Sequence, residues 1–178
     1  DAFFDEAMGA GREEIAWGLI ACILTLARFC SPSSELRVSE FWYGHTALED
    51  LLGVSPEKIN DDRLYRGLDA LVPHKDRLFG HFQKKYGDLF GTRFDILLYD
   101  ITSTYFEGQC RSNPQARRGY SRDSRSDCLQ VCIALVVTPE GLPLAYEVFD
   151  GNRSDVTTVE DILTLLREKY GQERRVWV

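Results

Sequence analysis

Phe94-Asp95-Ile96-Leu97-Leu98-Tyr99-Asp100 is a short apolar run closed by an acid, and it marks where the character of the chain changes. Upstream of it, apolar residues recur at helical spacing. From it onward they come in short runs rich in Val, Ile, Leu and aromatics, the pattern of strands. Leu129 to Val137 and Leu142 to Phe149 are two more such runs, and Thr138-Pro139-Glu140-Gly141 between them has turn composition, which predicts an antiparallel hairpin. Asp150-Gly151-Asn152-Arg153-Ser154-Asp155 reads as a loop ending in helix-capping residues. Val159, Ile162, Leu163 and Leu166 then share one face of a helix that runs to Tyr170-Gly171, and Arg174 to Val178 begins a last strand. A helix between two strands of one sheet is a crossover, so the last strand returns parallel to an earlier one. The expectation is an α/β chain whose mixed sheet has the order third, second, first, last, with the helix after Asp155 on one face.

The stretch before residue 92 is read as helical, giving two regions, 1–91 and 92–178. Ile15 to Phe29 is apolar on nearly every side and stops at Ser31-Pro32-Ser33. Ser34 is placed to cap a second helix reaching Leu52 and ended by Gly53, and Ser55-Pro56 to open a third in the N-cap and N1 arrangement. Leu64, Leu68, Leu71 and Val72 form a helical stripe behind Asp61 and Asp62, whose charges suit a helix N-terminus. Pro73 starts a further helix, with Leu78, Phe82, Tyr86 and Leu89 or Phe90 on one face and Gly91 as its stop. Trp17, Trp42, Phe79 and Phe82 read as core.

With 178 residues, 44% of them apolar and 28% charged, the chain has ordinary globular composition and length for a real core without staples. Its formal charge of −7 argues against a surface that is basic throughout, so a nucleic-acid partner has to meet a local patch. The five cysteines are odd in number and form no CxxC, which points to free thiols in a reducing cytoplasm. His45, His74 and His81 have no partners at zinc-site spacing. Ile15 to Phe29 is shorter than the ~20 residues that span a bilayer, so no membrane association is expected. A first residue that is Asp and a last one inside a strand suggest a fragment cut at both ends.

Asp100 is expected at the C-terminal end of the first strand, the edge where open α/β sheets carry their sites. A second carboxylate just after Val178 would then lie nearby, and two such groups repel unless a divalent cation neutralises them, the basis of two-metal phosphoryl transfer. A turn-forming Asp is the plain alternative. Thr102 and Ser103 fit either support for Asp100 or turn chemistry. The long loop from Ile101 to Cys128 carries Arg111, Arg117, Arg118, Arg122 and Arg125 against Asp123 and Asp127. Next to Asp100 its arginines suit phosphates and Tyr120 suits a base, while a merely solvated loop fits as well. Glu107, Asp150 and Asp155 read as surface, turn or capping acids.

Tyr99-Asp100-Ile101-Thr102-Ser103-Thr104-Tyr105-Phe106-Glu107-Gly108 has companions along residues 60 to 178. These are Asp61-Asp62-Arg63-Leu64-Tyr65-Arg66, Arg118-Gly119-Tyr120-Ser121-Arg122-Asp123, Gly141-Leu142-Pro143-Leu144 and Gly151-Asn152-Arg153-Ser154-Asp155. Together they resemble the DDE transposases of bacterial insertion sequences, in the IS-four superfamily. The resemblance implies a ribonuclease-H-like catalytic domain, incomplete here, in which Asp100 is the first of three carboxylates holding Mg²⁺ or Mn²⁺ in a two-metal site. It implies that the second Asp follows Arg175-Val176-Trp177-Val178 almost at once and that the Glu comes much later, so the 178 residues alone would be inactive. The implied activity of the intact protein is DNA cleavage and strand transfer on transposon ends and target, as a homo-oligomer. Under the same resemblance, Arg117, Arg118, Tyr120, Arg122 and Arg125 are the expected DNA contacts. A non-catalytic DNA-binding remnant, or a nuclease of the same fold that cuts without joining, are the other readings.

Overall fold

The computed structural model describes residues 2–9, 13–92, 96–120, 124–153, 158–161, 164, 168 and 175–177; for 2, 5, 96–99 and 175–177 it describes the backbone alone. The chain forms two compact units, Asp1–His81 and Phe82–Val178. The division falls inside a helix, upstream of the change of hydrophobic period at residue 92, because Tyr86 on that helix packs against the apolar side of the sheet.

In the first unit, helix α1 (Ala2–Met8) precedes α2 (Trp17–Cys30), whose Ile20, Ile23, Leu24 and Ala27 are buried with Val38, Tyr43, Val54, Ile59 and Leu64. Trp17 and Trp42 pack against this core, as expected. Nothing in the periodicity of residues 2–8 had singled out α1. The second helix is not continuous from Ser34 to Leu52. Ser34 does cap α3 (Glu35–Arg37), but the chain widens into a π turn over Val38–Trp42 and tightens into a 3₁₀ turn over Tyr43–His45. Only then does it form α4 (Leu48–Leu52), which Gly53 closes at a left-handed φ of 67°. These irregular turns accompany the burial of Tyr43, whose hydroxyl donates to the Val54 carbonyl at 2.7 Å. Burial raises the Tyr43 phenol above its ordinary pKa. Ser55-Pro56 opens only a 3₁₀ turn; the cap of α5 (Asp61–Leu71) is Asn60, whose side chain accepts from the Arg63 amide at 2.8 Å. A 3₁₀ turn through Pro73 leads into α6 (Lys75–Phe90), and Gly91 follows it at a φ of 61°.

The second unit holds a four-stranded sheet of strands β1 (Ile96–Phe106), β2 (Leu129–Val137), β3 (Pro143–Asp150) and β4 (Arg175–Trp177) in the order β3-β2-β1-β4. β1 and β2 are antiparallel, as are β2 and β3, and β4 runs parallel to β1 with Leu98 opposite Trp177. This is the expected order. The β2–β3 turn is closed by the Thr138 amide donating to the Leu142 carbonyl at 2.9 Å. One sheet face is apolar: Ile101, Cys132, Ala134, Val136 and Ala145 are buried on it, and Val159, from the helical residues 158–161, packs there with Tyr86 and Phe149. Asp155, and most of the helix expected after it, lie outside the described residues.

Candidate functional site

Asp100 is the fifth residue of β1 and pairs with Leu135, whose own partner on β3 is Tyr146. Side chains alternate along a strand, so Asp100 shares its face with Thr102 and Thr104, and all three are exposed. Ile101, of opposite parity, is buried among the apolar residues of the other face. Leu135, beside Asp100, is 41% exposed, so the acid stands on an open face of the sheet.

Asp100 does not end its strand. Ile101-Thr102-Ser103-Thr104-Tyr105-Phe106 continues the antiparallel ladder with β2 to the Phe106–Leu129 pair, since β-branched Thr residues suit a half-exposed strand as well as a turn. On its other side β1 pairs in parallel with β4 from Ile96–Arg175 to Leu98–Trp177 among the described residues. Thr102 and Ser103 are therefore strand residues on opposite faces, with Ser103 opposite Cys132. The turn reading does not hold for either.

The irregular loop spans 107–128 only, and it is not next to Asp100. Six strand residues at roughly 3.3 Å each put its start about 20 Å from the acid. Arg117 is tied to β2 by a two-way backbone bridge with Gln130, at 3.0 and 2.9 Å, while its side chain is exposed. Arg118 is exposed, and Tyr120 is 86% exposed. Arg122, with Asp123, lies outside the described residues. Arg125 is engaged within the protein: it donates to both carboxylate oxygens of Asp127 at 3.0 and 3.2 Å and lies over the Tyr105 ring at 4.9 Å. Glu107 approaches it at 3.8 Å. The Arg125 hydrogen bonds hold the Asp127 carboxyl below its ordinary range, and burial pushes the neighbouring Cys128 thiol up.

A cluster that the sequence reading passed over fixes this loop to the sheet. Gln130, buried on β2, donates from Nε2 to the Tyr120 carbonyl at 2.9 Å and to the Gly151 carbonyl at 2.7 Å. Gln115 donates to the Val148 carbonyl at 2.8 Å, and its own carbonyl accepts from the Gly151 amide at 3.0 Å. Gly119 and Gly151 are required by contact: a Cβ at Gly119 would stand 2.1 Å from the Gly151 oxygen, and one at Gly151 would stand 1.9 Å from the Gln130 oxygen. The available signal was a lone polar residue in the apolar run Leu129 to Val137.

Among the described residues, no three His, Cys, Asp or Glu side chains converge as a metal site. No single helix is long and apolar enough to cross a membrane. Searches found no matching protein-family model, no matching curated protein and no matching solved structure.

Proposed function

We propose that this chain is a helical region, 1–91, followed by the opening part, 92–178, of a ribonuclease-H-like catalytic domain of a DDE transposase, a cytoplasmic protein that cuts and joins DNA as a homo-oligomer. The observation that carries the reading is the sheet order β3-β2-β1-β4, with an exposed acid on the strand between an antiparallel and a parallel neighbour. Continuing the β1–β4 register, the position two residues beyond Trp177 falls opposite Asp100, on the same face. The reading expects a carboxylate there. Bound Mg²⁺ or Mn²⁺ would supply activation of water or a 3′-hydroxyl for in-line attack on a phosphodiester, and Asp100 would be one of its ligands.

The rest is the work of the chain's own residues. The open face around Asp100 admits a DNA backbone, and the exposed Arg117 and Arg118 offset phosphate charge in a chain whose net charge is −7. Tyr120 presents a ring suited to stacking on an unpaired base. Arg125 is a poor direct contact, since its fork is already taken by Asp127.

The test is Asp100→Asn in the protein that includes the downstream carboxylates. Duplex binding and thermal melting should be unchanged, while Mg²⁺-dependent cleavage and strand transfer fall by more than about a hundredfold, because losing even an outer partner of a metal ligand costs roughly 10–100-fold. Full activity in that variant removes Asp100 from the site. Cleaved but never joined products would favour a nuclease.

A further inference from the structure

The loop 107–128 and the ends of β1 and β2 enclose an open depression of about 510 Å³, lined by Phe106, Gln109, Arg111, Arg118, Arg125 and Asp127 among others. Its charges are not equivalent. Asp127 and Glu107 are both turned to Arg125, which is thereby fixed within the wall. Arg111 and Arg118 are exposed, and among the described residues neither has an ion-pair partner. A guanidinium carries five donors in a planar fork that matches a phosphate. Arg125 cancels Asp127 but not Glu107 as well, so Arg111 and Arg118 are what bring the charge of the described lining to +1.

We propose that Arg111 and Arg118 hold a backbone phosphodiester of duplex DNA in this depression, with Arg125 as a positioning residue that keeps Asp127 and Glu107 from competing for them. The proposal rests on the DNA strand-transfer reading for the identity of the ligand. It adds a grip about 20 Å from Asp100, separate from the reacting phosphate. Arg111 joins the contacts by this argument, and Arg125 moves from contact to support. The Gln130 cluster fixes the backbone at Tyr120 and so holds Arg118, two residues before it, near the rim.

The experiment measures anisotropy of a labelled DNA duplex with the full 178-residue chain between 50 and 200 mM salt. Each lost phosphate contact lowers the slope of log K against log salt by about 0.9. Arg111→Ala with Arg118→Ala, which removes the one phosphate contact, should therefore lower it by about 0.9, so that roughly threefold less affinity is lost across that range. Arg66→Ala with Arg77→Ala, which removes the same charge from exposed ion pairs in the helical unit, should leave the slope unchanged. Arg111→Lys with Arg118→Lys should restore the slope and only part of the affinity, since charge returns without the fork. A wild-type slope in the double alanine variant overturns the proposal, as does a wild-type chain that binds no duplex. A third overturning result is inorganic phosphate binding that the double variant abolishes while DNA binding is untouched, which would mark a free-anion site. The strand-transfer reading is tested apart from these, by the chemistry lost in Asp100→Asn.

Discussion

Gly151 has no room for a side chain, and its own backbone is part of the joint between loop and sheet. Its amide and carbonyl are both engaged, by Gln115 and Gln130, and the space where a Cβ would stand is filled by the Gln130 carbonyl. Gly151→Ala must therefore move backbone, and overpacking of this kind costs roughly 1–3 kcal/mol, here at the upper end because hydrogen bonds break as well. The midpoint of urea unfolding should fall accordingly. Gly108→Ala, where a Cβ meets nothing within 4 Å, should leave it within about 0.5 kcal/mol of wild type. Equal midpoints for the two variants would show that the joint contributes nothing. Both Gly119 and Gly151 stood out in the sequence as parts of ordered motifs. The reason for them did not, because a close approach between residues 119 and 151 is made by the sheet and leaves no local pattern.

Helices α2 and α5 touch through another glycine, with a different consequence. A Cβ on Gly67 would lie 2.3 Å from Cγ2 of Ile20, a fully buried residue with little freedom to turn away. Alanine is the better helix former by about 1 kcal/mol, yet Gly67→Ala should destabilise the helical unit by roughly 1–3 kcal/mol, because the clash outweighs the propensity. Gly80→Ala on α6 meets nothing within 4 Å and should stabilise by about 0.5–1 kcal/mol. Thermal melts followed by far-ultraviolet circular dichroism decide the two signs, and a Gly67→Ala variant more stable than wild type would deny the close helix contact. Elements were legible where the apolar pattern was plain, as in the long apolar run of α2, the helical stripe of α6 and the two short runs of the β2–β3 hairpin. They were misread where the same residues serve two conformations. Ile101 to Phe106 read as the start of the long loop and are a strand because β2 pairs with them, and the break in the second helix accompanies the burial of Tyr43.

At the scale of the molecule, the strand order was readable because a hairpin followed by a helical crossover leaves few arrangements. The position of the basic loop was not. It depends on how far β1 continues past Asp100, which only the pairing with β2 determines. That pairing also separates in time from its neighbour. Strands β2 and β3 are joined by the turn 138–142, whereas β1 and β2 are joined by the loop 107–128, more than four times as long. Each doubling of a loop costs about 0.6 kcal/mol of closure entropy, so the second pairing starts with a handicap of roughly 1.2 kcal/mol, nearly tenfold in rate. The β2–β3 hairpin should form first and serve as the template on which β1 docks. Stopped-flow refolding can follow this order. Thr138→Ala, which removes the buried hydroxyl that accepts from the Leu142 amide, should slow folding, whereas Asp127→Ala in the long loop should mainly speed unfolding. If Asp127→Ala slowed folding as much as Thr138→Ala, the order would be reversed. With the expected order, β2 spends the early part of folding paired on its β3 side alone, its other edge open to any strand, including one from a second chain.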